Sequence, residues 1–403
     1  MVEQALSDLK VLDLTHLIAG PYCTKLFADF GADVIKVEKS GGGDDARRLG
    51  PFPHDIPDQE ASGLFLYLNH NKRGITLNLE GEQGREIFLD LVRWADVLVE
   101  SFQPGTMAKL GLDYETLSSI SQKLVMTSIS NFGQHGPYRY FKAADIIHYG
   151  LTGLSFVTGT PDREPLKGPA DQAQYQAGLF AYNGTMTALL ARDQIGWGQH
   201  VDVSLWEAMC ALFQPYIFRW ASTPGPFPRS GERAGRAGGP SGGYPCKDGY
   251  VFFFVRSDLQ WKFFLKILEL DLKYAEDPRF ETTFDRRTHV DEIDQLIEPA
   301  LMKKDRETLF REFNAHGILV GMVLSTEDLF KSEHLAERRF FTEVDHPHAG
   351  AFFYPGAPFI MSETPWGIRR PAPMLGQHNR EVFIDLLGLK ESDLVKLRQL
   401  GVI

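Results

Sequence analysis

Short apolar runs alternate with amphipathic stretches over the first 130 residues of the chain. Residues 9–14 (LKVLDL) are the first run, and their length predicts a buried strand. Thr15 to Pro21 follow as a turn, then a predicted helix over 22–30 that Gly31 stops. A second strand is predicted at 33–38 (DVIKVE). Strand, turn, helix and strand in about thirty residues mark a βαβ unit and hence a parallel α/β sheet. The unit lacks G-x-G-x-x-G, which argues against a standard dinucleotide site.

The alternation continues. Residues 69–79 (NHNKRGITLNL) lead two cations into a strand, 82–94 form an amphipathic helix, and strands are predicted at 96–101 and 124–130. The glycine-rich loop 39–48 follows a strand, the position where α/β proteins bind ligands, although a solvated loop is its plainer reading. Residues 145–158 read as a helix, and 160–168 as a loop delivering the chain to a long central helix. Ala177, Gly178, Ala181, Gly184 and Ala188 give that helix small faces for close packing. A strand at 199–205 and a long apolar helix at 205–221 come next.

Residues 222–245, rich in proline, glycine, arginine and serine, break this pattern and read as a linker. Strands at 250–255 and 319–324, with helices at 261–268, 289–302 and 306–316, predict a small α+β domain. The tail carries strand-like runs (FTEVDHP, AFFYPGAPFIM) and a helix at 380–387. The expected organisation is a large α/β domain begun by 1–221, a linker at 222–245, a small domain at 246–325, and a return to the large domain over 326–403.

Composition narrows the function. The 403 residues suffice for two or three domains. A net charge of -11 argues against a general nucleic-acid binder. Cys23, Cys210 and Cys246 form no C-x-x-C pair, so no cysteine-held metal is expected. Cys23 and Cys210 read as buried thiols, and an odd cysteine count fits a reducing compartment. The N-terminus lacks a signal-peptide pattern and no run reaches 18 apolar residues, so a soluble cytoplasmic protein is expected, with no membrane span.

The stretch LDLTHLIAGPYCTKLFADFGADVIKVEK resembles the N-terminal signature of the class III CoA-transferases, the formyl-CoA and carnitine-CoA transferase group. NHNKRGITLNL, VESFQPGTMAKLGLDYETL, ALLARDQIGWGQHVDVSLWEA and PAPMLGQHN are similar to that family as well, in order from Leu12 to Asn379. The resemblance implies a large Rossmann-like domain formed by both chain ends, a small middle domain, and two chains interlocked as rings. It implies CoA or its thioester as a substrate, with no permanently bound cofactor. The matched CoA-contacting positions are His16, Leu17, Ile18 and Ala19, then Lys39, then Lys72 and Arg73, then Ser101, Phe102 and Lys109. The phosphates of CoA call for such cations and for backbone N–H groups.

The resemblance also calls for a nucleophilic aspartate four residues before Gly178, where this chain has Gln174. A carboxylate can form an anhydride and then an enzyme thioester, and glutamine cannot serve as that nucleophile. Several readings follow. This chain could be the catalytically silent subunit of a heteromeric transferase, like the two-subunit enzymes acting on succinyl-CoA and benzylsuccinate in the family it resembles. The acid substrate, aromatic or not, is left open. Asp171 could be the nucleophile if the helix start shifts by about one turn, although an N-cap is its plainer role. The chain could be a non-enzymatic CoA-thioester-binding protein. A racemase using His16, His135 or His148 would miss the same aspartate. Residues 236–243 resemble the mobile loop that shields the family's acyl-enzyme intermediates, in shorter form.

Overall fold

The computed structural model describes residues 4–223, 225, 229, 231 and 239–403, and the chain divides into two units. The first comprises Met1–Thr152, Gly168–Arg219 and His334–Ile403. Its centre is a six-stranded sheet of β1 (Lys10–Leu14), β2 (Asp33–Glu38), β3 (Arg73–Thr76), β4 (Val97–Glu100), β5 (Val125–Ser130) and β6 (His200–Ser204). All neighbours are parallel and the order is β3-β2-β1-β4-β5-β6. That is a doubly wound, Rossmann-type order, with its direction reversing between β1 and β4; the parallel α/β sheet was expected from the sequence and its Rossmann-like character from the family resemblance.

Side chains alternate between the two faces of the sheet. Leu12, Leu14, Ile35, Val37, Ile75 and Leu98 enter one core, together with Phe88 and Leu91. Val11, Val34, Val97, Val99 and Val125 enter the other. The connecting helices are α1 (Ala19–Asp29), α2 (Gly63–Asn69), α3 (Glu82–Trp94), the short α4 (Thr106–Lys109), α5 (Tyr114–Ile120) and α6 (Asp145–Leu151). α1 begins three residues before the expected start. Pro21 is tolerated there because first-turn N–H groups have no intrahelical acceptor.

The helix expected over 145–158 is two: Gly153, at φ 82°, separates α6 from α7 (Leu154–Val157), which belongs to the second unit. The central helix is α8 (Gln172–Ile195), whose buried face is Ala173, Ala177, Gly178, Ala181, Thr185 and Ala188 with Leu189. The helix expected over 205–221 is also two, α9 (Leu205–Leu212) and α10 (Gln214–Ser222), broken ahead of Pro215. Cys210, expected to be buried, is half-exposed on α9, whereas Cys23 is fully buried.

The C-terminal segment closes the β3 edge. Asn379 accepts a hydrogen bond from the Thr76 backbone N–H at 2.9 Å and donates to Thr76 Oγ1 at 2.9 Å. The His378 ring accepts from the Gly74 N–H at 3.0 Å. A Cβ on Gly74 would sit 2.7 Å from Pro373, so this glycine lets the tail approach. The helix expected at 380–387 is a π-helix over Glu381–Leu386 whose Val382 and Phe383 are buried in the first core.

The second unit comprises Gly153–Lys167 and Trp220–Glu333. Its antiparallel sheet is β7 (Ser241–Cys246), β8 (Gly249–Phe254) and β9 (Leu319–Met322), in the order β7-β8-β9. Helices Asp258–Ile267, Val290–Leu301 and Arg306–Ala315 bury Trp261, Phe264 and Phe313 with Phe253 of β8. β7 corrects the linker expectation. Residues 241–245 pair with the aromatic strand β8, and Pro245 is accommodated because β7 is an edge strand. Of the segment likened to a mobile loop, 241–243 are strand and 236–238 lie outside the described residues. Among the described residues, no helix is long and apolar enough to cross a membrane.

Candidate active site

The turn after β1 is set from beneath by buried charge. Asp13, in register with Lys36 of β2, faces α1. Its carboxylate accepts from the Thr15 N–H at 2.9 Å, from Thr24 Oγ1 at 2.7 Å and from Lys72 Nζ at 2.9 Å. Burial pushes this carboxyl up, but Lys36, Lys72 and the threonine hydroxyls outweigh it and hold it well below the usual range. Lys36 Nζ donates to Thr15 O at 2.8 Å and pairs with Asp44 at 2.8 Å. Asp44 in turn accepts from the Leu17 N–H at 2.9 Å. Leu17 sits at φ 66°, a left-handed conformation unfavourable for a leucine, so this anchor holds a strained turn. The His16 N–H donates to Ser101 Oγ at 3.1 Å, tying the ends of β1 and β4 together at the point where the strand order reverses.

Two adjoining cavities, of about 610 and 590 Å³, open at the carboxyl ends of these strands and share His16, Asp45 and Phe102. The larger is walled by Leu14 and Thr15, by Glu38 at the end of β2, by Lys39, Gly42 and Gly43 of the glycine loop, by Leu77 to Leu79, and by Thr106 and Leu110. Three of its carboxylates are already matched: Glu38 by Arg47 at 2.7 Å, Asp44 by Lys36, and Asp45 by Arg48. Lys39 lines this cavity and has no ion-pair partner among the described residues.

The smaller cavity lies between Leu17 and Ala19, Ser101 to Pro104, Ile129 to Asn131, and Gln174. Arg139 and Lys142 line it and make no ion pair among the described residues. The Ser130 hydroxyl is buried there without a hydrogen-bond partner among the described residues. Gln174 stands in the first turn of α8, and its side-chain amide makes no hydrogen bond among the described residues. One turn on, a Cβ at Gly178 would meet Ala19 O at 2.5 Å, so the glycine lets α8 press against the start of α1. The first turns of two helices thus meet at this cavity, an arrangement favouring anions.

The matched positions separate into groups. His16, Leu17, Ala19, Lys39, Ser101 and Phe102 line one or both cavities, whereas Ile18 is buried outside them. The expectation of a phosphate-binding Lys72 needs correction. Its ammonium is 0% exposed and donates to Asp13, Thr24, Asn69 and Pro21 O at 2.8–3.0 Å. Arg73 is likewise bound to Asp33 at 2.5 Å and Glu381 at 3.1 Å. Lys109 is exposed and lines neither cavity. Arg48, which also lines the larger cavity, lies in the glycine-rich loop 39–48 already singled out from the sequence, whereas Arg139 and Lys142 of the smaller cavity were not; their position in a loop that follows a strand was the available signal.

Asp171 is exposed, lines neither cavity, and does not cap α8 with its side chain. That role falls to Asp145, whose Oδ1 accepts from the Ala173 N–H at 2.8 Å. Of the three histidines considered, His16 touches both cavities and His148 is buried against Asn131 at 3.2 Å, while His135 is exposed. Among the described residues no cluster could hold a metal ion.

Glu100, buried at the end of β4, accepts from the Phe102 N–H at 2.7 Å and so positions the wall shared by both cavities. Burial pushes its pKa up to about 7, against the hydrogen bonds from Ser128 and Phe102. The folded chain therefore holds a proton that the unfolded chain has already lost, and stability falls as pH rises from 4.5 toward 7. Glu100→Gln is expected to gain on the parent by up to about 3 kcal/mol between pH 5 and 8. Urea midpoints at the two pH values check this, and an unchanged difference would contradict it.

The sequence model of the CoA-transferase family III matches residues 6–379. The chain is 34% identical to the succinyl-CoA–D-citramalate CoA-transferase of Chloroflexus aurantiacus, over 99% of this chain and 98% of that one. It is 32% identical to the succinyl-CoA:(R)-benzylsuccinate CoA-transferase subunit BbsE of Thauera aromatica, again over 99% and 98%. A crystal structure of a CAIB/BAIF family protein from Brucella suis superposes with a TM-score of 0.86 at 29% identity, covering 95% of this chain and all of that one. With the strand order and the paired cavities at its switch point, these matches settle the relationship: the chain belongs to CoA-transferase family III.

Proposed function

We propose that this chain is a subunit of a CoA-transferase that moves CoA from an acyl-CoA such as succinyl-CoA to an organic acid, and that the nucleophile comes from another chain. Gln174 carries the reading. It lines the smaller cavity, its amide makes no hydrogen bond among the described residues, and the family resemblance assigns the nucleophile to its position; an amide cannot form the anhydride that transfer requires. The exposure of Asp171 outside both cavities speaks against a self-sufficient enzyme built on that residue. The names of two relatives, both acting with succinyl-CoA and one a subunit, support the donor and the heteromer.

The CoA moiety fits the larger cavity, with Lys39 and the glycine loop toward its phosphates and its thioester end at His16 and Phe102. An interlocked pair of chains is part of the proposal. Exposed Leu179 and Leu190 of α8, and Ile217 and Phe218 of α10, are apolar surface that a second chain would cover.

The test is a CoA-transfer assay on the purified chain alone and again with a homologous chain carrying the aspartate. Activity is expected only with the partner and is expected to be indifferent to Asp171→Asn. Transfer by the chain alone that Asp171→Asn abolishes would overturn the reading.

A further inference from the structure

The smaller cavity is lined by neutral hydrogen-bonding groups and by cations that make no ion pair among the described residues, at the position where the family resemblance calls for an attacking carboxylate. Ser130 is 7% exposed, and its hydroxyl has no hydrogen-bond partner among the described residues. A buried hydroxyl left unmatched costs on the order of 1–3 kcal/mol, so a ligand atom that satisfies it binds with advantage. Asn131 spends its side-chain oxygen on the His148 ring at 3.2 Å, which leaves its amide N–H groups unused among the described residues. Gln174 contributes a second unused amide, and Arg139 and Lys142 supply positive charge without carboxylate partners among the described residues. Asp45, the one carboxylate along this wall among the described residues, is paired with Arg48.

We infer that the smaller cavity is a non-covalent binding site for the carboxylate of a free organic acid. Ser130 Oγ and the amides of Asn131 and Gln174 donate to it, and Arg139 and Lys142 balance its charge. An aspartate at position 174 would oppose an incoming carboxylate with a like charge. Glutamine of nearly the same shape replaces that repulsion with an N–H donor. The substitution thus turns a point of attack into a point of capture: the acid is held as the ion and no bond to the protein forms. The inference rests on the transferase reading only for the identity of the ligand as an acid.

Calorimetric titration of the full-length chain, in the assembly in which it purifies, tests this with succinate as probe and inorganic phosphate as the competing anion. Succinate is expected to bind, about tenfold more weakly to Ser130→Ala and at least a hundredfold more weakly to Gln174→Glu. Gln174→Asn is expected to keep part of the affinity. CoA, titrated in parallel, is expected to bind all variants equally, which shows that they fold. Succinate binding that ignores both Ser130→Ala and Gln174→Glu overturns the site, as does no succinate binding to the parent. Phosphate binding as tight as succinate overturns the carboxylate assignment. Loss of CoA binding in the parent would sink the transferase reading and leave this site standing.

Discussion

Asp13→Ala is expected to lower the unfolding free energy by about 3–5 kcal/mol, the usual cost of breaking a buried ion pair from one side. The aspartate is completely buried, and so are both lysines it faces. Without it, the hydrogen-bond partners left to Lys72 among the described residues are neutral (Asn69, Thr24 and Pro21 O), and Lys36 keeps its ion pair with Asp44. The double replacement Asp13→Leu/Lys72→Met removes the pair together and is expected to recover part of the loss.

The pH dependence identifies the cause. Asp13 is held well below its unfolded value, so its contribution is present above about pH 4 and lost as pH falls toward its folded pKa. Urea midpoints between pH 2 and 7 should show a shallower acid limb in Asp13→Ala than in the parent. Parallel acid limbs would mean that the pair contributes nothing.

The second large effect is on ligand binding. Asp44→Ala is expected to weaken CoA binding tenfold or more while leaving a folded chain. Asp44 accepts from the N–H groups of Leu17 and Ala46, both at 2.9 Å, and so ties the glycine loop to the turn after β1. Leu17 at φ 66° costs about 1–3 kcal/mol of backbone strain and persists only while its surroundings impose it. Without Asp44 the turn is expected to relax, carrying His16 out of the wall common to both cavities. Glycine adopts the left-handed region freely, so Leu17→Gly in the Asp44→Ala background should restore much of the affinity. Titration with CoA measures both variants, and a failed rescue would show that Asp44 acts through charge rather than through the shape of the turn.

Much of the architecture is written locally. The apolar runs at 9–14, 33–38 and 124–130 specify strands by length and composition, and the helices between them force parallel neighbours. The small face of α8 is equally visible, because alanine and glycine at helical spacing mean close packing wherever the helix lies. Gln174 was matched to the nucleophile position through the family resemblance, by counting back from Gly178, and the two residues lie on one continuous helix. Helix breaks were less legible: Gly153 and Pro215 interrupt stretches whose apolar content reads as continuous.

The roles of the charged residues were decided by tertiary structure. Asp13 and Lys36 each interrupt an apolar run (LKVLDL and DVIKVE) with a charge, and nothing local says what that charge meets. Both are buried because helices cover the two faces of the sheet, and the lysine that Asp13 binds most directly lies 59 residues away. Lys72, in a run that reads as a phosphate-binding loop, is drawn inward by that same carboxylate. Asp145, rather than the adjacent Asp171, caps α8 from 28 residues upstream. The cavities are assembled from the ends of β1, β2, β3, β4 and β5 with the first turns of α1 and α8. Sequence patterns fix what each segment buries, because that depends on spacing along the chain. The pairing of charges depends on which segments meet across the sheet, and spacing does not encode that.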